Sequence, residues 1–200
     1  MPALAQTPGP GASGSGETAP KSRYAIAIGY SLEYAGYRVN DGDLSKGEGE
    51  GVMGGLEFGS TSSWPKGLWN LGVYYLSYEL RMAPNGAPER NSFRAIEVPL
   101  TWGFYLNRRF LFSLGVKGRY GLDSVRRRSA LVNEEISHKE FGIGASQLFG
   151  LASLRYYHFI ARQPRVFLDA RYGYGLFDRA LGEKDRWRDS TSQVLMGVNF

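Results

Sequence analysis

Strict alternation constrains this chain most. From Tyr24 onward, Tyr24, Ile26, Ile28, Tyr30, Leu32 and Tyr34 are large and apolar, while Ala25, Ala27, Gly29, Ser31 and Glu33 between them are small or polar. A helix repeats every 3.6 residues and cannot give this pattern; a strand repeats every two. The pattern returns. Val52, Leu56 and Phe58 alternate with Gly51, Met53, Gly55, Glu57 and Gly59. Ile96, Val98, Leu100, Trp102, Phe104 and Leu106 alternate with Ala95, Glu97, Pro99, Thr101, Gly103 and Tyr105. Further runs lie at 110–122, 166–176 and 194–200. The segment near 68–82 is apolar with a phase slip at Tyr74–Tyr75, which predicts a bulge, and the segment 142–159 is strand-like without a clear phase. Eight strands are expected, each near the roughly 9–11 residues that cross a bilayer when tilted.

Alternation fits a barrel in water or in lipid, and the polarity of the two faces decides between them. About eight strands leave an interior just wide enough for side chains. Stacks such as Ile96 to Leu106 on every strand would overfill it. The opposite face carries Gly, Ala and Ser with scattered Glu33, Glu57, Glu97, Lys117, Arg119, Asp169 and Arg171. That set suits a narrow polar lumen, so the apolar face is assigned to lipid. The 27 glycines and 13 tyrosines agree: glycine makes room where side chains crowd, and Tyr favours the membrane–water boundary. Tyr24, Trp69, Phe110 and Phe200 are expected in one aromatic girdle, with Tyr34, Tyr78 and Tyr120 in the other.

Connections are expected to alternate. Short links fall at 60–67, 107–109 and 161–165, and long polar links at 36–50, 83–92, 123–140 and 178–191. Short periplasmic turns and longer outer loops have this asymmetry. With an even strand count, the N- and C-termini then share the periplasmic side.

Residues 1–22 are rich in Pro, Gly, Ser and Ala without periodicity and read as disordered. Ala3-Leu4-Ala5 before Gln6 reads either as the end of a signal peptide or as part of a plain flexible tail. Residues 23–200 form the barrel. With no cysteine in the chain, disulfides and thiolate metal sites are excluded, and no metal or cofactor is expected. The net charge of +5 comes without a stripe of basic and aromatic residues, so nucleic acid is not an expected partner.

The final Val194-Leu195-Met196-Gly197-Val198-Asn199-Phe200 resembles the C-terminal insertion signal of outer-membrane proteins. Ile96 to Leu100 and Phe110 to Val116 are similar to the central hairpin of small OmpX- and OmpA-type, porin-like barrels. The resemblance covers roughly 23–200. It implies an all-β, antiparallel, up-and-down barrel in the bacterial outer membrane. It also implies that the insertion machinery recognises Val194, Met196, Val198 and Phe200. It implies no activity, because such barrels serve as anchors, adhesins and narrow pores.

A three-residue turn at Asn107-Arg108-Arg109 places Glu97 directly across from Arg119, which predicts an ion pair; Asp169 is expected to meet Arg155. Pro99 removes a ladder donor in mid-strand, a loss that a local bulge could absorb. The inward charges read as a plug, with a selectivity zone in a narrow pore as the alternative. Arg126-Arg127-Arg128, in an expected outer loop, are candidates for lipopolysaccharide phosphates. Membrane lipids, and a second outer-membrane protein, are the other candidate partners. Enzymatic function is not expected. Tyr157-His158-Phe159-Ile160 faintly resembles a lipid A deacylase segment but lacks the serine that motif requires. A lipid-modifying enzyme stays the remote alternative.

Overall fold

The computed structural model describes residues 22–38, 44–63, 66–83, 88–128, 133–136, 146–160, 163–177, 179–180 and 186–200. The disordered segment expected at 1–22 lies outside these residues except for Ser22, which opens the first strand. Eight long strands follow in chain order: β1 (Ser22–Arg38), β2 (Leu44–Ser63), β3 (Lys66–Met82), β4 (Glu89–Tyr105), β5 (Phe110–Arg128), β7 (Ser146–Ile160), β8 (Gln163–Gly175) and β10 (Arg186–Asn199). Two short strands, β6 (Asn133–Ile136) and β9 (Arg179–Ala180), pair with β5 and β10.

Each long strand pairs antiparallel with its neighbour, and β1 pairs with β10 from Ala25↔Asn199 to Arg38↔Arg186. The sheet therefore closes on itself into an eight-stranded antiparallel barrel. Closure satisfies both edges, the one way a sheet can sit in lipid. Alternation on each strand fixes which residues face out: Ile26, Ile28, Val52, Leu56, Leu114, Leu168, Val194 and Met196 are exposed, while Ala25, Ala27, Met53, Leu111, Phe167 and Leu195 are buried.

Several expectations are corrected. The eight long strands run 13 to 20 residues, longer than the roughly 9–11 that cross a bilayer when tilted. Much of the expected long links is strand: β1 and β2 pair out to Arg38↔Leu44, and β4 and β5 out to Arg90↔Arg128. There the outward face becomes polar, with Lys46, Glu48, Glu50, Arg81, Arg90 and Arg126, so hydropathy resembles that of a loop although the ladder continues.

The bulge expected at Tyr74–Tyr75 is absent; β2–β3 pairing runs unbroken through Gly54↔Tyr75 and Gly55↔Tyr74. The apparent slip arises because β3 turns Leu68, Tyr74, Leu76, Leu80 and Met82 inward while Trp69, Leu71, Val73 and Tyr75 face out. Room for the inward set comes from β2. A Cβ on Gly51 would lie 2.5 Å from the Cβ of Tyr78, and one on Gly55 would lie 2.7 Å from the Cα of Tyr74.

Pro99 needs no bulge either. Its pairing with Lys117 sits in an unbroken stretch of the β4–β5 register. On its other side the β3–β4 pairing passes from Leu71↔Leu100 to Tyr74↔Glu97. Gly72 makes room there, since a Cβ on it would meet the proline Cγ at 3.1 Å. Register shifts fall instead between Ser92 and Arg94 and between His158 and Phe159. At the 106–109 turn, the Asn107 side-chain oxygen accepts from the backbone N–H of Arg109 (2.8 Å) and of Phe110 (3.0 Å), an Asx turn that sets the β4–β5 register.

Tyr78 does not join a girdle. It turns inward and stacks on Phe93, centroids 4.9 Å apart. Tyr24, Trp69, Phe200, Tyr34 and Tyr120 are exposed on the outer face, and Phe110 is half-buried there.

Candidate functional site

The inward charges gather into two clusters that fill the lumen, each with two acids and two bases. The first joins β1, β4 and β5. Glu97 lies opposite Arg119 in the ladder, and its Oε1 accepts from Arg119 Nε at 2.8 Å and lies 2.6 Å from Arg119 Nη2. Lys117 Nζ reaches the same oxygen at 2.9 Å and donates to Thr191 Oγ1 at 2.9 Å. Across the lumen, Arg119 donates to both Glu33 oxygens at 2.9 and 3.0 Å. Ser31 donates to Glu33, and Gln193 donates to Glu97 at 2.9 Å.

The second cluster joins β2, β7 and β8. Arg155 lies opposite Asp169 in the ladder, with Nη2 2.6 Å from Asp169 Oδ2 and Nη1 2.8 Å from Glu57 Oε2. Arg171 Nε donates to Asp169 Oδ2 at 2.9 Å, and its Nη2 donates to Glu57. The Tyr74 hydroxyl donates to Glu57 and accepts from Arg171. Tyr74 also sits opposite Glu97 in the β3–β4 ladder, so the clusters adjoin.

No member of either cluster is more than 7% exposed. Single charges at that depth are prohibitively costly; paired and hydrogen-bonded ones are not. Aromatic rings cover the cations as well. Lys117 and Arg119 lie 4.7 and 5.0 Å from the Phe149 centroid, Arg155 lies 4.1 Å from Phe167, and Arg171 lies 5.1 Å from Tyr74. Toward the short-turn end, Leu68, Leu111, Tyr157, Phe167 and Leu195 pack into an apolar layer. Beneath it Arg23 donates to the Tyr105 hydroxyl at 2.9 Å.

All seven lumen residues singled out from the sequence thus lie inside: Glu33, Glu97, Lys117 and Arg119 in one cluster, Glu57, Asp169 and Arg171 in the other. Arg155 completes the second cluster and was legible only as a partner for Asp169. The alternation of the last strand puts Gln193 inward without linking it to Glu97, and Tyr74 and Phe149 carry no sequence signal, since no alternation marks an inward aromatic. Val194, Met196, Val198 and Phe200 face outward, and the Phe200 N–H donates to the Tyr24 carbonyl at 2.9 Å. Arg126 and Arg128 lie on the outward face of β5, not in a loop, because β5 continues to Arg128; the Arg127 side chain lies outside the described residues. His158 is exposed beside the β7 register shift, and His138 lies outside the described residues.

No protein-family model and no curated protein sequence matches the chain. Among solved structures, Neisserial surface protein A superposes with a TM-score of 0.53 at 16% identity, covering 88% of this chain and 99% of that one. The chain has the fold of a small outer-membrane β-barrel. Ail, the attachment invasion locus protein of Yersinia pestis solved with the heparin analogue sucrose octasulfate, gives a TM-score of 0.47 at 15% identity, covering 90% of this chain and 99% of that one.

Proposed function

We infer that the chain is an integral protein of the bacterial outer membrane, with both termini periplasmic, that works as a non-enzymatic structural or interaction component. Its partners are then met on its outer face, among membrane lipids and lipopolysaccharide or at another outer-membrane protein. Its last strand serves as the segment the insertion machinery takes up. The observation that carries this reading is the filled lumen. Residues from all eight long strands converge there, and Glu57, Glu97, Lys117, Arg119, Arg155, Asp169 and Arg171 are all nearly inaccessible to solvent. A barrel so filled has little to conduct, which leaves its surfaces as the working parts. The test is ion conductance of the detergent-folded protein in a planar bilayer. Silence from folded wild type supports the reading. Steady discrete openings that change with Glu97→Ala would replace it with a narrow pore.

A further inference from the structure

Beyond the membrane-spanning band, the sheet carries a row of arginines that its own acids neutralise poorly. Arg81 on β3 pairs directly with Arg90 on β4, and Arg90 pairs directly with Arg128 on β5. Neighbouring strands lie about 4.8 Å apart, and like charges directly opposite each other destabilise a sheet. All three side chains face out and are exposed. The nearest acids are loosely engaged, and Glu48, directly opposite Arg81 on β2, makes no ion pair with it among the described residues. One oxygen of Glu79 lies 3.9 Å from Arg81 and 3.8 Å from Arg90, and Glu50 lies 3.6 Å from Arg81. These distances exceed the 2.7–2.9 Å of a charge-assisted hydrogen bond. Glu50 and Glu79 also face each other across the β2–β3 ladder, so they repel as well as attract. Arg128 makes no ion pair among the described residues, while Arg126, one row nearer the membrane, lies 4.0 Å from Glu135.

The height of the row narrows the occupant. Tyr75, Ile96 and Tyr120 form the uppermost row of the same strands that is aromatic or apolar throughout; one row higher only Leu122 is apolar, beside Arg94 and Ser77. Arg81 lies six residues beyond Tyr75, which is about 20 Å along the strand and roughly 15 Å along the membrane normal at the tilt of a barrel strand. That is above the hydrocarbon and level with the sugars of an outer-leaflet glycolipid. The side chains point away from the barrel, sideways over the leaflet.

We propose that Arg81, Arg90 and Arg128 form a binding row for the phosphorylated saccharide of an outer-leaflet glycolipid. Phosphate oxygens take two parallel N–H donors from one guanidinium, and anions bridging adjacent arginines relieve the cross-strand repulsion. The unit is a row across three strands rather than the consecutive run 126–128, because neighbours along a strand face opposite sides of the sheet. The proposal rests on the outer-membrane reading above.

The test uses the full chain folded into phospholipid nanodiscs, with folding checked by heat-modifiable gel mobility. Binding is measured for purified lipopolysaccharide, for the same material stripped of phosphate, and in competition with inositol hexakisphosphate. Wild type is compared with the triple variant Arg81→Gln, Arg90→Gln, Arg128→Gln and with Arg108→Gln, Arg109→Gln at the opposite end of the barrel. The triple variant weakens binding of phosphorylated lipopolysaccharide on the order of a hundredfold, and the 108/109 variant leaves it unchanged. Should the triple fail to fold, Arg90→Gln alone gives a loss of about fivefold. Equal binding by triple and wild type overturns the site, as does equal binding of the phosphate-stripped form. Displacement by an equal concentration of the soluble hexakisphosphate overturns the glycolipid as its source. The two readings fail apart. Steady conductance with a triple-sensitive affinity removes the plug and keeps the row; a silent barrel indifferent to the triple removes the row alone.

Discussion

Removing the Glu97 carboxylate is the sharpest perturbation of the plug. Glu97 is 1% exposed and holds Arg119 at 2.6 Å, Lys117 at 2.9 Å and Gln193 at 2.9 Å. Glu97→Ala leaves Arg119 with Glu33 as its carboxylate and leaves Lys117 with the Thr191 hydroxyl. The first cluster then carries two cations and one acid. Breaking a buried pair by removing one partner costs about 3–5 kcal/mol, since the stranded charge keeps its desolvation cost. Glu97→Ala is accordingly expected to destabilise the barrel by about 3–5 kcal/mol. Glu79→Ala, which removes a half-exposed carboxylate from loose surface pairs, costs at most about 1 kcal/mol. The assay is guanidinium unfolding and refolding in phospholipid vesicles, followed by fluorescence of the four tryptophans and by heat-modifiable mobility. Adding Lys117→Met to Glu97→Ala restores charge balance and recovers about 0.5–3 kcal/mol of the loss. A Glu97→Ala cost near that of Glu79→Ala, with no recovery in the double variant, would refute the claim that these charges are cut off from water.

Three further outcomes follow from the same geometry. Gly51→Ala destabilises by about 1–3 kcal/mol through overpacking, because its Cβ meets the backbone-anchored Cβ of Tyr78 at 2.5 Å, whereas Gly118→Ala, with nothing within 4 Å, is neutral in the same unfolding assay. Met196→Arg, on the outward face at the level of Ile28, costs about 2–4 kcal/mol in vesicles, as expected for a charge near the bilayer midplane; a cost below about 0.5 kcal/mol would place that face outside the hydrocarbon. Asp169→Asn leaves Arg155 and Arg171 to share Glu57, and loses about 3–5 kcal/mol on the same scale.

The barrel and its charge pairing were legible because they follow from period and register alone. Once Tyr24 to Tyr34 alternate and Asn107 marks a turn, the partner of Glu97 is fixed by counting. What stayed hidden depends on volume rather than polarity. On β3 both faces are apolar, so Leu68, Tyr74, Leu76 and Leu80 looked like a slipped phase. Their complement was in the sequence, as glycines 51 and 55 of β2, but it becomes visible only when the β2–β3 register is known. The height of the strands was hidden for a related reason. Above the lipid, a strand such as β5 carries Arg126 and Arg128 outward, and its composition matches that of a loop. The arginine row could not be read from the chain at all, since its members come from three strands.

The central claim is that one face of every strand meets lipid while the other lines a closed lumen. The chain has no cysteine, so single cysteines can be placed in turn at Gln193, Val194, Leu195 and Met196 and labelled with a fluorophore. Quenching is then measured in vesicles containing nitroxide-labelled lipid. Strong quenching is expected at 194 and 196 and weak quenching at 193 and 195, matching their exposed and buried positions. Uniform quenching, or quenching confined to 193 and 195, would contradict the claim.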